Sequence, residues 1–171
     1  FDSSVTHRLQ TVARSSCVSL NTILQAVWGV MLGRRNDVND VVFGVVVSGR
    51  PAPLEGVEKM VGLFLRSIPL RVQWNSSTTF AEFVQHVHAS FAECETHLSC
   101  SMSEILPLHP LKQELVNHMF VFENYPMVEA DWKESLGFSV EDIRGYEQMN
   151  YDFGVVIHPG DTLEIKFSFN A

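Results

Sequence analysis

The spacing of apolar positions changes several times along this chain, and each change marks an element. Val5, Leu9, Val12 and Ala13 recur at helical spacing between residues 5 and 14. Ser16-Cys17-Val18 breaks the pattern, and Ser19 stands where an N-cap stands, its hydroxyl able to satisfy a free backbone N–H. From Leu20 to Leu32 apolar residues fall on nearly every face (Ile23, Leu24, Ala26, Val27, Trp28, Val30, Met31), which predicts a buried helix. Gly33-Arg34-Arg35-Asn36-Asp37 reads as its end. Val41 to Val47 is a continuous, largely β-branched run. It predicts a strand buried on both faces, with helices above and below the sheet. Ser48-Gly49-Arg50-Pro51-Ala52-Pro53 is a loop by its Gly and Pro content.

A short helix is expected over Leu54 to Lys59, then a strand from Met60 to Trp74 with a break near Arg66-Ser67. Pro69 has no N–H to give to a ladder, so that strand belongs at a sheet edge. Phe80, Phe83, Val84, Val87 and Phe91 mark a strong amphipathic helix ending near His97. Thr79 and Glu82, three apart at its start, form a capping-box pattern. A shorter helical piece follows over Met102 to Leu106. His118 to Asn124 reads as a strand, residues 125 to 137 as a loop, and Gly137 to Ile143 as a strand. Phe153 to His158 and Thr162 to Phe169 are strands joined as a hairpin by the His158-Pro159-Gly160-Asp161 turn. Helices mixed with buried strands give an α/β sandwich with one sheet.

Composition narrows the function classes. The 12 basic residues are scattered against 20 acidic ones, so the chain lacks the cationic surface that replaces phosphate counterions, and nucleic-acid binding is not expected. No apolar run has the length of a membrane span, and Phe1-Asp2-Ser3-Ser4 has no signal-peptide form. It reads as a chain cut from something larger. Cys17, Cys94 and Cys100 form neither a CxxC pair nor a zinc set and read as reduced thiols of a cytoplasmic protein. Asn75-Ser76-Ser77 reads as a polar turn.

Candidate chemistry is sparse. His86 and His88, two apart on a helix, point different ways, one expected half-buried and one exposed. No Gly-x-Ser-x-Gly elbow is present. Trp28 is expected in the core, whereas Trp74 and Trp132 suit the surface or a partner contact.

Three segments in order carry a resemblance. They are Val41 to Pro51, Val61-Gly62-Leu63-Phe64-Leu65-Arg66-Ser67-Ile68-Pro69-Leu70-Arg71, and His118 to Pro126 with Tyr151 to Ala171. The second is similar to the pattern (Ile/Val)-Gly-x-Phe-x-Asn-Thr-x-x-x-Arg of nonribosomal peptide synthetase condensation domains. Over nearly its whole length the chain resembles their C-terminal lobe. The resemblance implies one chloramphenicol acetyltransferase-like lobe over residues 1–171, with the N-terminal lobe and the final helix absent. It implies a tunnel between two lobes. Two carrier proteins deliver thioesters there on phosphopantetheine arms, and no cofactor is bound directly.

The resemblance implies as partners the N-terminal lobe, donor and acceptor peptidyl carrier proteins and an adjacent adenylation domain. A homodimer through the uncovered lobe interface, or a swapped element, is a further outcome for an isolated lobe that exposes a large apolar patch. The resemblance places Ser48, Gly49, Arg50, Arg66, Ser67 and Asn124 at the tunnel, and makes Gly62, Phe64 and Arg71 structural. Ser48-Gly49-Arg50-Pro51 also reads as a plain turn, and Asn124 as a strand end. Arg66-Ser67 departs from the family's Asn-Thr; Arg66 either faces the tunnel and selects a carboxylate-bearing substrate or is a surface charge. Arg71 reads as an ion-pair partner or as a carboxylate or phosphate anchor. The catalytic His-His-x-x-x-Asp-Gly of the N-terminal lobe has no counterpart here. The expectation is half of an amide-forming enzyme, inactive alone. The alternatives are a lobe of an epimerization domain and a non-catalytic carrier-binding scaffold.

Overall fold

The structure is a computed structural model and describes residues 1–50, 54–124 and 150–169. Helix α1 (Ser3–Ser15) starts at Asp2, whose carboxylate accepts the Val5 N–H at 2.8 Å. It stops because Cys17 turns left-handed (φ 52°), which lets the Val18 N–H reach the Ala13 carbonyl at 3.0 Å. Ser19 then caps α2 (Leu20–Asn36) by accepting the Thr22 N–H at 3.0 Å. The expectation of a helix buried all round is corrected: Ile23, Leu24 and Ala26 enter the core, but Val27 and Met31 are exposed. The helix ends within the expected Gly33 to Asp37 segment: it runs to Asn36, and Asp37 closes it in the left-handed region (φ 55°). Gly33 is buried because Trp74 lies on it. A Cβ there would stand 2.2 Å from the indole and 2.6 Å from the Val38 carbonyl oxygen. Trp74, expected at the surface, thus packs inward, edge-on to Phe83 at 5.8 Å.

Among the described residues five strands form one mixed sheet: β1 (Asp40–Ser48), β2 (Leu65–Gln73), β3 (His118–Phe122), β4 (Phe153–His158) and β5 (Glu164–Phe169). Their order is β2-β1-β3-β4-β5. Strands β1, β3 and β4 run parallel, and β2 and β5 pair antiparallel at the two edges. Pro69 accordingly lies on an edge strand. Strand β2 begins only at Leu65, and the helix expected over Leu54 to Lys59 shrinks to one 3-10 turn, Val57–Lys59. Helix α3 (Phe80–Thr96) has both bonds of the Thr79/Glu82 capping box. A short α4 (Met102–Ile105) carries the same box at Ser101 and Glu104. Strand β5 starts at Glu164, two residues after the expected Thr162, and the hairpin pairs His158 with Glu164. The expected loop over 125–137, the Gly137 to Ile143 strand, Trp132, Pro126 and Pro51 to Pro53 lie outside the described residues.

The core lies on one face of the sheet, where alternation along each strand puts Phe43, Val45, Leu70, Val72, Phe120 and Ile157 against the helices. Helices were expected on both faces of β1. On the opposite face Val42 and Pro69 instead share a hollow with Leu111 and Leu115, which come from the short turns after α4. Trp28 is half-buried at the margin of the core and stacks on Phe153, ring centroids 5.8 Å apart and planes 7° from parallel. The α/β mixed sheet expected from the sequence is the architecture observed.

Candidate functional site

Parallel strands end together, and ligands of open α/β sheets bind at those carboxyl ends. Strand β1 ends at Ser48 and β3 at Phe122, with Asn124 two residues on. Between these ends, the first turn of α2 and the last turns of α3 lies a cavity of about 470 Å³. Ser48 and Asn124 line it with Asn21, Phe91, Glu95 and Phe122. Val47, Phe91 and Phe122 give it apolar walls, and Ser48 of β1, Asn21 of α2, Glu95 of α3 and Asn124 add hydroxyl, amide and carboxylate groups. Such a surface suits an extended chain with amide groups.

The other tunnel candidates gather at the same end. Register pairs Val46 with Ser67, Val47 with Arg66 and Ser48 with Leu65. The Gly49 N–H donates to the Phe64 carbonyl at 2.6 Å, continuing the ladder past β1. Gly49 has no room for a side chain: a Cβ would stand 2.6 Å from Arg66 Cγ and 2.9 Å from the Phe64 carbonyl oxygen. Gly49→Ala is therefore expected to cost about 1–3 kcal/mol as overpacking and to expose the Phe64 end of the ladder to hydrogen exchange. Urea unfolding with amide exchange reads both.

Arg50 holds the following loop. Its Nη1 donates to the carbonyls of Val57 and, at 3.1 Å, Met60, and its guanidinium lies 4.2 Å from the centre of the Phe64 ring. These bonds fix the turn that leads to Gly62, Phe64 and β2. Arg66 is exposed beside Gly49, and Asn124 is exposed with its N–H on the Phe122 carbonyl.

Arg71 stands apart from this group, toward the far end of β2. Its Nε and Nη2 donate to the two carboxylate oxygens of Asp40 at 2.9 and 2.6 Å. The hydrogen bond from Arg71 is the main cause that holds the Asp40 carboxyl below the usual carboxylate range. A depressed carboxylate pKa adds stability above the unfolded value and loses it as pH falls. Both side chains are well exposed, so solvent screening keeps that effect small.

Among the histidines, His86 and His88 are both exposed, which corrects the expectation of one half-buried ring. Helix α3 turns Phe83, Val84 and Val87 inward instead. His118 lies against Trp28 and Phe153, and burial pushes its pKa below the ordinary imidazole value. His158 is the last residue of β4, and its Nδ1 lies 3.0 Å from Glu123 Oε2 at the carboxyl edge. Sequence reasoning missed that pair, because it depends on the parallel register of β3 and β4, which leaves no mark in either strand's composition.

A family model described as condensation domain matches residues 1–171. Gramicidin S synthase 2 of Brevibacillus brevis is 41% identical over 175 residues, covering 100% of this chain and 4% of that protein. Tyrocidine synthase 2 of Brevibacillus parabrevis is 41% identical over 172 residues, covering 98% of this chain and 5% of that protein. The chain thus spans only a small part of the length of these relatives. Among solved structures, the first condensation domain of the calcium-dependent antibiotic synthetase in complex with a substrate analogue superposes with a TM-score of 0.74 at 18% identity. That match covers 99% of this chain and 38% of the other. The X-domain from teicoplanin biosynthesis gives 0.70 at 22% identity, covering 92% and 36%. At these identities the structures show a shared fold.

Proposed function

We propose, for a chain that belongs to the condensation-domain family of nonribosomal peptide synthetases, that residues 1–171 form the C-terminal lobe of such a domain and supply half of its substrate tunnel. Condensation domains form amide bonds within larger synthetases. In this reading the N-terminal lobe brings the histidine motif that is absent from this sequence. Donor and acceptor carrier proteins present thioesters on phosphopantetheine arms, and an adenylation domain loads the acceptor. The amine attacks the thioester carbonyl, the new C–N bond forms, and the pantetheine thiol leaves with a proton. This lobe contributes alignment of the two arms, a proximity effect, and has no activity of its own. A synthetase of this kind works in the cytoplasm.

One observation carries the reading. The sheet end that holds Ser48, Gly49, Arg50, Arg66, Ser67 and Asn124 adjoins a loop whose apolar side chains lack cover. Val61 is 103% exposed and Leu63 91%. Exposed apolar side chains beside an open cavity suit a surface completed by another lobe.

The test is mass-detected condensation. The chain is mixed with donor and acceptor carrier proteins, each charged with an aminoacyl thioester, with and without the N-terminal lobe added in trans. Product only with the added lobe is expected. Product from the chain alone places a catalytic group here and makes His158, His86 and His88 the residues to replace. Carrier binding without product under either condition supports a non-catalytic scaffold instead.

A further inference from the structure

Helix α3 ends at the candidate cavity with its charges against the usual order. Cations suit the last turn of a helix, where unpaired carbonyls carry partial negative charge. The last turn of α3 has no basic residue and carries Glu93 and Glu95 instead. Glu95 lines the cavity, and Phe91, four residues earlier on the same helix face, lines it too. Among the described residues that line the cavity, Glu95 holds the only charge; the others are Ser, Asn, Leu, Val and Phe. Among the described residues Glu95 has no ion-pair partner.

The cavity therefore offers an apolar wall and then a negative charge. Phe91 and Phe122 supply the wall, and Glu95 follows Phe91 by about 6 Å along the helix axis. An amine on an aliphatic chain fits that succession. Its methylenes lie along the wall, and its ammonium meets both the carboxylate and the negative end of the helix. A neutral apolar side chain leaves the carboxylate unmatched, and an acidic one is repelled by it. The α-amine of an aminoacyl group has the same charge without the stem, so the two sources differ in the side chain alone. The sign of the cavity is opposite to the carboxylate-selecting alternative for Arg66, which is exposed beside Gly49 and does not line it.

We infer that Phe91 and Glu95 select aminoacyl groups with an amine-ended aliphatic side chain, of the lysine or ornithine kind, in the half-tunnel that this chain supplies. The inference rests on the tunnel reading proposed above. Glu95 determines specificity and takes no part in bond formation. It is exposed at the mouth of an open cavity, so solvent screening limits the preference to about fivefold.

The test is an NMR titration of the whole chain with the lysyl, norleucyl and glutamyl amides of aminopantetheine, read at the Ser48 and Asn124 backbone amides. All three ligands carry the same α-amine and the same arm, so a difference between them reads the side chain. The lysyl compound is expected to bind about fivefold more tightly than the norleucyl one, with the glutamyl compound weakest, and added salt should shrink the difference. Glu95→Gln should abolish the preference. Glu114→Gln removes the same charge from the turn that carries Leu115 on the opposite face of the sheet, and should leave the preference intact. Lysyl and norleucyl compounds that bind alike to the wild type overturn the inference and leave the tunnel reading standing. So does a preference that survives Glu95→Gln, or one that Glu114→Gln abolishes. If none of the three compounds shifts these amides, the tunnel reading fails and the inference falls with it.

Discussion

Phe120→Ala should lower the unfolding free energy by about 3–5 kcal/mol, seen as an earlier midpoint in urea with an unchanged slope. Phe120 is 1% exposed on β3, which lies between β1 and β4 at the middle of the sheet. Its ring meets that of Phe43 at 6.1 Å, and it stands beside Val45 in register. Truncation leaves a cavity where side chains come from both neighbouring strands and the helices above, so collapse around the gap is limited. The loss reaches the candidate site, because Phe122, two residues on, turns to the same face and lines its cavity. Phe167→Ala is the control: this ring is 53% exposed on edge strand β5, and the expected change is within about 0.5 kcal/mol. Equal effects at the two positions would place the core elsewhere.

Arg50→Ala should release the loop before β2 while leaving the helices and sheet folded. The guanidinium is the tie between the Val57 and Met60 carbonyls and the Phe64 ring. A charge-assisted hydrogen bond contributes about 1.5–3 kcal/mol, and a partly exposed one sits at the low end. Loss of about 2 kcal/mol of local stability raises the open population of the loop roughly 30-fold, with global stability nearly constant. Limited proteolysis between residues 54 and 64 and amide exchange at Lys59 and Met60, whose N–H groups donate to the Gly56 and Val57 carbonyls, measure it. Arg50→Lys retains the charge but not the planar fork and should recover only part of the protection. On the reading proposed above, Arg50→Ala should also weaken pairing with an N-terminal lobe, because Val61 and Leu63 would no longer be presented in one arrangement. A loop as protected in Arg50→Ala as in the wild type would remove Arg50 from this role.

Elements specified by local chemistry were readable from sequence. Ser19, Thr79 and Glu82 cap the helices that their spacing announces, and Pro69 selects an edge strand. What sequence did not yield depends on partners distant in the chain. Trp74 looks like a surface residue until it is seen to lie on Gly33, 41 residues earlier. Val27 and Met31 look like core until α2 is seen to bury only part of its circumference. The site divides the same way. The Ser48-Gly49-Arg50 segment was marked by its own composition and by resemblance. The meeting of Ser48 with Asn124 in one cavity, and of Glu123 with His158, follows from parallel registers between strands.

Strand order also dictates a folding history. Helix α2, β1, β2 and α3 are contiguous within residues 20–96, and their pairings close short loops. Strand β3 must then insert beside β1, and the Gly44–Met119 register spans 75 residues. Closing so long a loop to make a parallel pair is slow relative to local structure. On a ribosome α2, β1, β2 and α3 emerge before β3, with the inner edge of β1 uncovered and rich in valine, an edge that invites pairing with a neighbouring chain. Refolding yield should therefore fall with protein concentration during the interval before β3 docks. Any change that delays β3 would lengthen that interval without altering the final fold.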